Sequence, residues 1–189
     1  MPVVTARIVT LMLWLLAILF VAVFVHLGSI LILPRVAPHD AFGRLVAGQS
    51  PATLTPVPAA ASGRGLPFRD PASSSAVCRY DLSSRALRVT ASTQSGDFLA
   101  VSFHSRSGLP FYALTDRASV DGKIDVLLMT SAQLKQVEAA DGEEPARDVR
   151  IVAPETEGFV EFDVVPRIGG AAAAERALRS VGCKIETGP

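Results

Sequence analysis

The sequence is short of the side chains that most often carry chemistry. Its 189 residues include two cysteines, three histidines and one tryptophan. Neither a Cys-x-x-Cys nor a His-x-x-x-His pair occurs, so the closely spaced ligands of a zinc site are missing. There is no Gly-x-Ser-x-Gly elbow and no phosphate-loop lysine behind a glycine-rich turn. Charge of one sign is missing as well: 18 basic and 18 acidic side chains give a formal net charge of zero. The chain therefore lacks the basic excess with which proteins hold nucleic acid. No catalytic or metal site is recognised. The expectation leans away from an enzyme, with no cofactor and no nucleic-acid partner.

What the sequence has instead is one long apolar run. From Ile8 to Leu33 no Asp, Glu, Lys or Arg occurs. At about 1.5 Å per residue such a helix is about 39 Å long, more than the roughly 30 Å hydrocarbon core of a bilayer. A cleaved signal peptide has an apolar stretch of about 7 to 15 residues with a small-residue site close behind. This run is longer, and the nearest Ala-rich string, Ala59-Ala60-Ala61, lies far downstream. The reading is a transmembrane anchor over residues 1–35, with the lipid bilayer as a partner. Arg7 and Arg35 bracket it, and Pro34 is expected to stop the helix.

Residues 36–75 read as a juxtamembrane helix and a linker. Phe42, Leu45 and Val46 share a helical face that could lie on the bilayer or dock on the domain. Residues 48–75 hold five prolines among Ala, Ser and Gly; if flexible, their ends would average about 30 Å apart. Residues 76–189 read as one globular, mostly β domain, long enough to bury its own core.

Within that domain, short period-2 segments alternate with turns. Strands are expected at 77–82, 87–90, 98–104, 111–115, 124–129, 149–152 and 159–165. Ser105 to Gly108 reads as a hairpin, and a two-residue Ser107-Gly108 loop sets Phe103 opposite Tyr112 and Val101 opposite Leu114. Leu87, Val89, Val101, Phe103, Tyr112, Leu114, Val126, Val160 and Phe162 form the expected core. Thr130 with Gln133 fits a capping box for a helix over 131–139. A second helix over 171–181 would stop at Gly182. The fold expected is mainly β with one N-terminal transmembrane helix: a β-sandwich or jelly-roll-like domain with one or two short helices.

The cysteines bear on compartment. Cys78 opens the domain and Cys183 closes it, and a disulfide between them is expected, with two unpaired thiols as the alternative. Disulfides persist in oxidising compartments, so the pair favours a periplasmic domain anchored in a bacterial inner membrane. The Lys/Arg count around the apolar run leans slightly the other way.

The run Cys78-Arg79-Tyr80-Asp81-Leu82, then Leu87-Arg88-Val89, then Phe111 to Arg117, resembles a family of small bacterial single-span membrane proteins carrying domain of unknown function 1254. The hairpin from Phe98 to Asp116 is similar to the jelly-roll module of domain of unknown function 1214. The resemblance spans about 150 residues and implies an envelope location and a β-fold. It carries over no catalytic residues.

The remaining candidates are single residues. His26 is an ionisable group inside the apolar run. His39 is juxtamembrane. His104 is the one domain histidine; the expected register sets it beside Ser102 and Thr115 with Asp116 turned away, which does not assemble a Ser-His-Asp relay. Arg79, Tyr80 and Arg117 are candidates for binding, and Gly169-Gly170 for an anion at a helix start. Two functions stay open: a non-enzymatic envelope module that binds another envelope or membrane protein, or an enzyme or small-ligand binder using a jelly-roll cavity.

Overall fold

A computed structural model describes residues 2–36, 41–46, 48–58, 72–92, 97–119, 122–141 and 149–186. The chain divides into two units, at residues 1–38 and 39–189. The first is a single helix, α1 (Pro2–Val36), in which Thr5–Leu33 is long and apolar enough to cross a membrane. Leu13, Leu16, Phe20 and Phe24 are exposed along it. The helix runs past Pro34, where a stop was expected. Proline has no N–H to offer the carbonyl four residues back, and two residues from the helix end this costs a single bond.

Among the described residues, the second unit holds nine strands in two sheets. In chain order they are α2 (Ala41–Leu45), β1 (Leu54–Pro56), β2 (Ser74–Asp81), β3 (Leu87–Ser92), β4 (Phe98–Ser105), β5 (Pro110–Thr115), β6 (Lys123–Met129), α3 (Ser131–Asp141), β7 (Val149–Val152), β8 (Glu157–Val165), α4 (Gly170–Leu178) and β9 (Gly182–Ile185). A 3₁₀ turn, Asp116–Ala118, follows β5. One sheet runs β1-β2-β8-β4-β5, all antiparallel. The other runs β7-β6-β3-β9, antiparallel except for the parallel β6–β7 pair. The protein is mainly β, with one long apolar helix ahead of a two-sheet sandwich.

Alternation builds the core between the sheets. Ala76, Cys78 and Tyr80 of β2, Leu99, Val101 and Phe103 of β4, and Val160, Phe162 and Val164 of β8 face Leu87, Val89 and Ala91 of β3 and Ile124, Val126 and Leu128 of β6. Tyr112 and Leu114 depart from expectation. Their register opposite Phe103 and Val101 is as read, but β5 is the sheet edge, so Tyr112 is 43% exposed and Leu114 half-buried. Sequence alternation gives the face of a side chain; a neighbouring strand is needed to bury it.

The hairpin loop is longer than the expected two residues. Gly108 N–H donates to Ser105 O and Ser105 N–H donates to Leu109 O, so Arg106-Ser107-Gly108 form a three-residue loop. Gly108 takes the left-handed conformation that this loop type needs, φ 82°. Pairing jumps from Phe103–Tyr112 to His104–Pro110, so Phe111 is the extra residue that restores the register. The Thr130–Gln133 capping box is present, with both reciprocal bonds formed at 2.8 and 3.2 Å. Helix α4 ends at Leu178, and Gly182 opens β9 instead of capping the helix. A Cβ at Gly182 would collide with the Thr90 hydroxyl, so glycine is there to let β9 close on β3.

Two further features concern the segments around the domain. Leu54–Pro56, inside the stretch read as linker, is an edge strand on β2. Residues 59–71 of the expected linker lie outside the described residues. Helix α2 docks on the domain: Phe42 and Val46 are buried with Val57, Val77 and Phe159 in a second, smaller core. The disulfide joins Cys78 in β2 to Cys183 in β9, with Cα atoms 6.5 Å apart. It links one sheet to the other across the sandwich; Cys183 lies opposite Val89 rather than beside the edge of the first domain strand.

Truncating Phe103 to Ala, fully buried at 0% exposure, is expected to cost about 3 to 5 kcal/mol in denaturant unfolding; a loss below about 1 kcal/mol would contradict the packing described. Replacing both cysteines with serine removes a link that closes 105 residues of chain. The double variant is expected to unfold at lower denaturant, by up to about 4 to 5 kcal/mol in the chain-entropy description. Wild type in reductant should shift in the same direction.

Candidate functional site

Polar side chains collect on the outer face of the five-stranded sheet, opposite the main core. Because alternate residues change face, β2 offers Ser75, Val77 and Arg79 there, β8 offers Phe159, Glu161 and Asp163, and β4 offers Ser102 and His104. The register aligns Arg79, Phe159 and His104 in one row and Val77, Glu161 and Ser102 in the next. Ser75 donates a short hydrogen bond to the Asp163 carboxylate at the far end of this face.

His104 stands at the centre of the cluster. Its ring is stacked on Phe159, with centroids 4.6 Å apart and planes 2° from parallel. Nε2 lies 2.9 Å from Ser102 Oγ and 3.6 Å from Glu161 Oε2, while Nδ1 lies 3.2 Å from the Gly108 carbonyl. With the proton on Nδ1, the ring donates to Gly108 and accepts from Ser102. A catalytic relay needs the acid to orient the ring from the nitrogen opposite the nucleophile. Here Glu161 and Ser102 meet the same nitrogen. The arrangement ties the imidazole to its own hairpin and leaves little of it in solvent, 14% of the side chain.

Over this row lies Phe42 of α2. Its ring packs against Phe159 at 6.5 Å, and the guanidinium groups of Arg106 and Arg79 sit 4.8 and 5.8 Å from its centroid. Cations over an aromatic face are attracted by the ring quadrupole. Both arginines are also held by Glu157, at 3.2 and 3.7 Å. Arg79 donates to the Gln49 carbonyl, and Gln49 donates to the Leu45 carbonyl, which stitches the end of α2 to the sheet. Glu155 accepts from the Arg106 backbone N–H. Arg79, Arg106, Glu155, Thr156 and Glu157 line an open hollow of about 550 Å³. Two arginines face two glutamates in it, so its formal charge selects no ligand sign.

The other sequence candidates are scattered. Tyr80 is buried on the core side, and its hydroxyl passes over Gly158 to donate to the His104 carbonyl at 3.1 Å. Any Cβ at Gly158 would overlap both groups. Burial, with Glu155 nearby, pushes the Tyr80 phenol well above its ordinary range. The hydroxyl and amide of Ser83 hold the Asp81 carboxyl below its usual value. Arg117 is exposed in the 3₁₀ turn, away from the cluster's rows. Gly169 and Gly170 both have positive φ, 98° and 58°, and make the chain reversal before α4. Cys78 and Cys183 are bonded to each other and offer no thiolate. Among the described residues no three His, Cys, Asp or Glu side chains are grouped to hold a metal ion. His26 shares a face of α1 with Ala22 and Ser29. His39 lies outside the described residues.

The sequence reading missed Phe159, Glu161, Glu157 and Arg106 as members of a site. The signal was in the alternation of Glu157-Gly158-Phe159-Val160-Glu161-Phe162-Asp163, which sets Phe159, Glu161 and Asp163 together on the face opposite Val160 and Phe162.

No family model matches the chain, and no curated protein matches it. Among solved structures, the chain is similar to the VPA0106 protein of Vibrio parahaemolyticus, with a TM-score of 0.50 and 11% identity over 65% of this chain and 31% of that one. It is also similar to an uncharacterised protein of Burkholderia cenocepacia, with a TM-score of 0.45 and 13% identity over 70% of this chain and 34% of that one. The chain spans about a third of the length of each. At 11% identity the first likeness is one of fold alone.

Proposed function

We propose that this chain is a single-pass protein of a bacterial inner membrane whose β-sandwich serves, on the periplasmic side, as a non-enzymatic binding or structural module. The observation that carries the reading is the wiring of His104. Both of its nitrogens are engaged by its own hairpin, and Phe42 packs on the Phe159 ring beneath it. The space between the sheets, where a jelly-roll ligand would sit, is occupied by Tyr80, Leu99, Phe103, Leu128 and Phe162. Helix α1 supports the anchor by length and composition. The Cys78–Cys183 bond supports the periplasm, because such bonds last where the surroundings oxidise. The resemblance to domains of unknown function 1254 and 1214 belongs to the same proposal through the envelope location it implies; the partner class proposed is another envelope or membrane protein.

Location and function separate in the test. A reporter active only outside the cytoplasm, fused after Pro189, is expected to work, and signal solely from a cytoplasm-dependent reporter would overturn the periplasmic assignment. Full-length protein purified in detergent is expected to retain a bound membrane protein that is lost when the domain is deleted. Turnover of a small substrate that disappears in a folded His104→Ala variant would replace this reading with the enzyme.

A further inference from the structure

Each sheet ends on two edge strands: β1 and β5 in one, β7 and β9 in the other. An edge presents unpaired N–H and C=O groups, and proteins commonly blunt it with short length, proline or charge. Three of these edges are blunted. Strand β1 is three residues long and ends on Pro56. Strand β7 has four residues and carries Arg150; β9 has four and carries Lys184. Strand β5 is different. It has six residues, its proline is the first of them, and Phe111-Tyr112-Ala113-Leu114-Thr115 contains no charge. Among the described residues, the backbone of these five pairs with β4 and with no other segment.

The side chains at this edge are also incompletely covered. Tyr112 is 43% exposed and Leu109, just before the strand, 68%. Ala113 is exposed, while Phe111 and Leu114 are half-buried against the main core. The core thus continues outward past β4 and stops on apolar groups that the second sheet does not reach.

We propose that β5 is a self-association edge, at which a second copy of this chain pairs antiparallel and joins two five-stranded sheets into one. The occupant follows from the strand's own chemistry. A two-fold axis through Ala113 sets Tyr112 of each copy opposite the other's Leu114 and Phe111 opposite Thr115, so no like charges meet. Tyr112 and Leu114 lie on the core-facing side of the sheet, and pairing covers in each copy the surface the sandwich leaves open. A single strand pair buries less than the roughly 1,200 to 2,000 Å² of a standard stable interface. Confinement to one membrane raises the effective concentration and supplies what the area does not. The inference rests on the membrane reading for its strength alone; the pairing chemistry does not depend on the side of the membrane or on the domain's activity.

The test uses the full chain in native membranes and again in detergent. With Cys78 and Cys183 bonded together, Ala113→Cys adds one free thiol on the axis, and Lys184→Cys adds one on the blunted β9 edge. A short bis-maleimide is expected to convert Ala113→Cys to a covalent homodimer at least about tenfold more efficiently than Lys184→Cys. Ala113→Lys sets like charges directly opposite on the axis and should weaken the dimer by at least about tenfold in sedimentation of the detergent-solubilised protein. Thr115→Lys is a second charge variant for use if Ala113→Lys melts early. Equal crosslinking at both edges, a monomer throughout, or crosslinking of Ala113→Cys to a different protein would each overturn the proposal. So would a dimer indifferent to both lysines, since it would be held elsewhere, for instance by α1. A cytoplasmic result from the topology reporter with dimerisation intact would remove the periplasmic assignment and leave this one standing.

Discussion

Strand β8 buries aromatic side chains on both of its faces, and this constraint organises the rest of the domain. Val160, Phe162 and Val164 point into the sandwich and require the second sheet. Phe159 points the other way and is as well buried, at 1% exposure. Leaving such a side chain in water costs about 1.5 to 3 kcal/mol, so the outer face needs a cover of its own. The cover is Phe42 of α2 and Val46 just after it, with Val57 just beyond β1. Phe42, Val46 and Val57 are in this way drawn into the domain by an apolar residue far along the chain. Gly158 extends the same logic, since its missing side chain is what lets the Tyr80 hydroxyl reach the His104 carbonyl and lock β2 to β4 across β8.

The alternating strands were legible because their period is a local property. Leu87, Val89, Val101, Phe103, Val126, Val160 and Phe162 all face the core as their spacing implies. What was not legible depended on partners remote in sequence. Tyr112 has the spacing of a core residue and is exposed because no strand lies beyond β5. Gly182 looks like a helix stop and serves instead to bring a strand close to Thr90. The proline-rich composition of 48–75 describes a linker well enough, yet Leu54–Pro56 pairs with β2 because that edge was open to it. Composition reports what a segment can do alone, and β1 is not alone.

The outer-face cluster was half legible for the same reason. Ser102 and His104 sit two apart on one strand, so any strand assignment puts them together. Glu161 and Phe159 come from a strand 57 positions on from Ser102 at the nearer of the two (159 less 102), and only the β4–β8 register brings them alongside. The result is a set of residue types that could suggest chemistry, with both ring nitrogens of His104 engaged within its own hairpin. The two arginines follow suit. Each could hold an anion, but both are placed over Phe42 and against Glu157. Ion pairs this exposed contribute little on their own; their effect here is to orient guanidinium planes over the aromatic ring that seats α2.

That seat changes the reading of residues 41–58. The proline-rich stretch reads as a tether of about 30 Å reach if flexible, which would let the domain act at a distance from its anchor. That stretch includes β1 and the first residues of β2, two paired strands of one sheet, and residues 59–71 fall between them in sequence. The connection from α1 to α2 consists of residues 37–40. Helix α2 meets the sheet through the Phe42 ring, over which the Arg79–Arg106–Glu157 group lies. That ring packs on Phe159 of β8, the strand on which both cores are built.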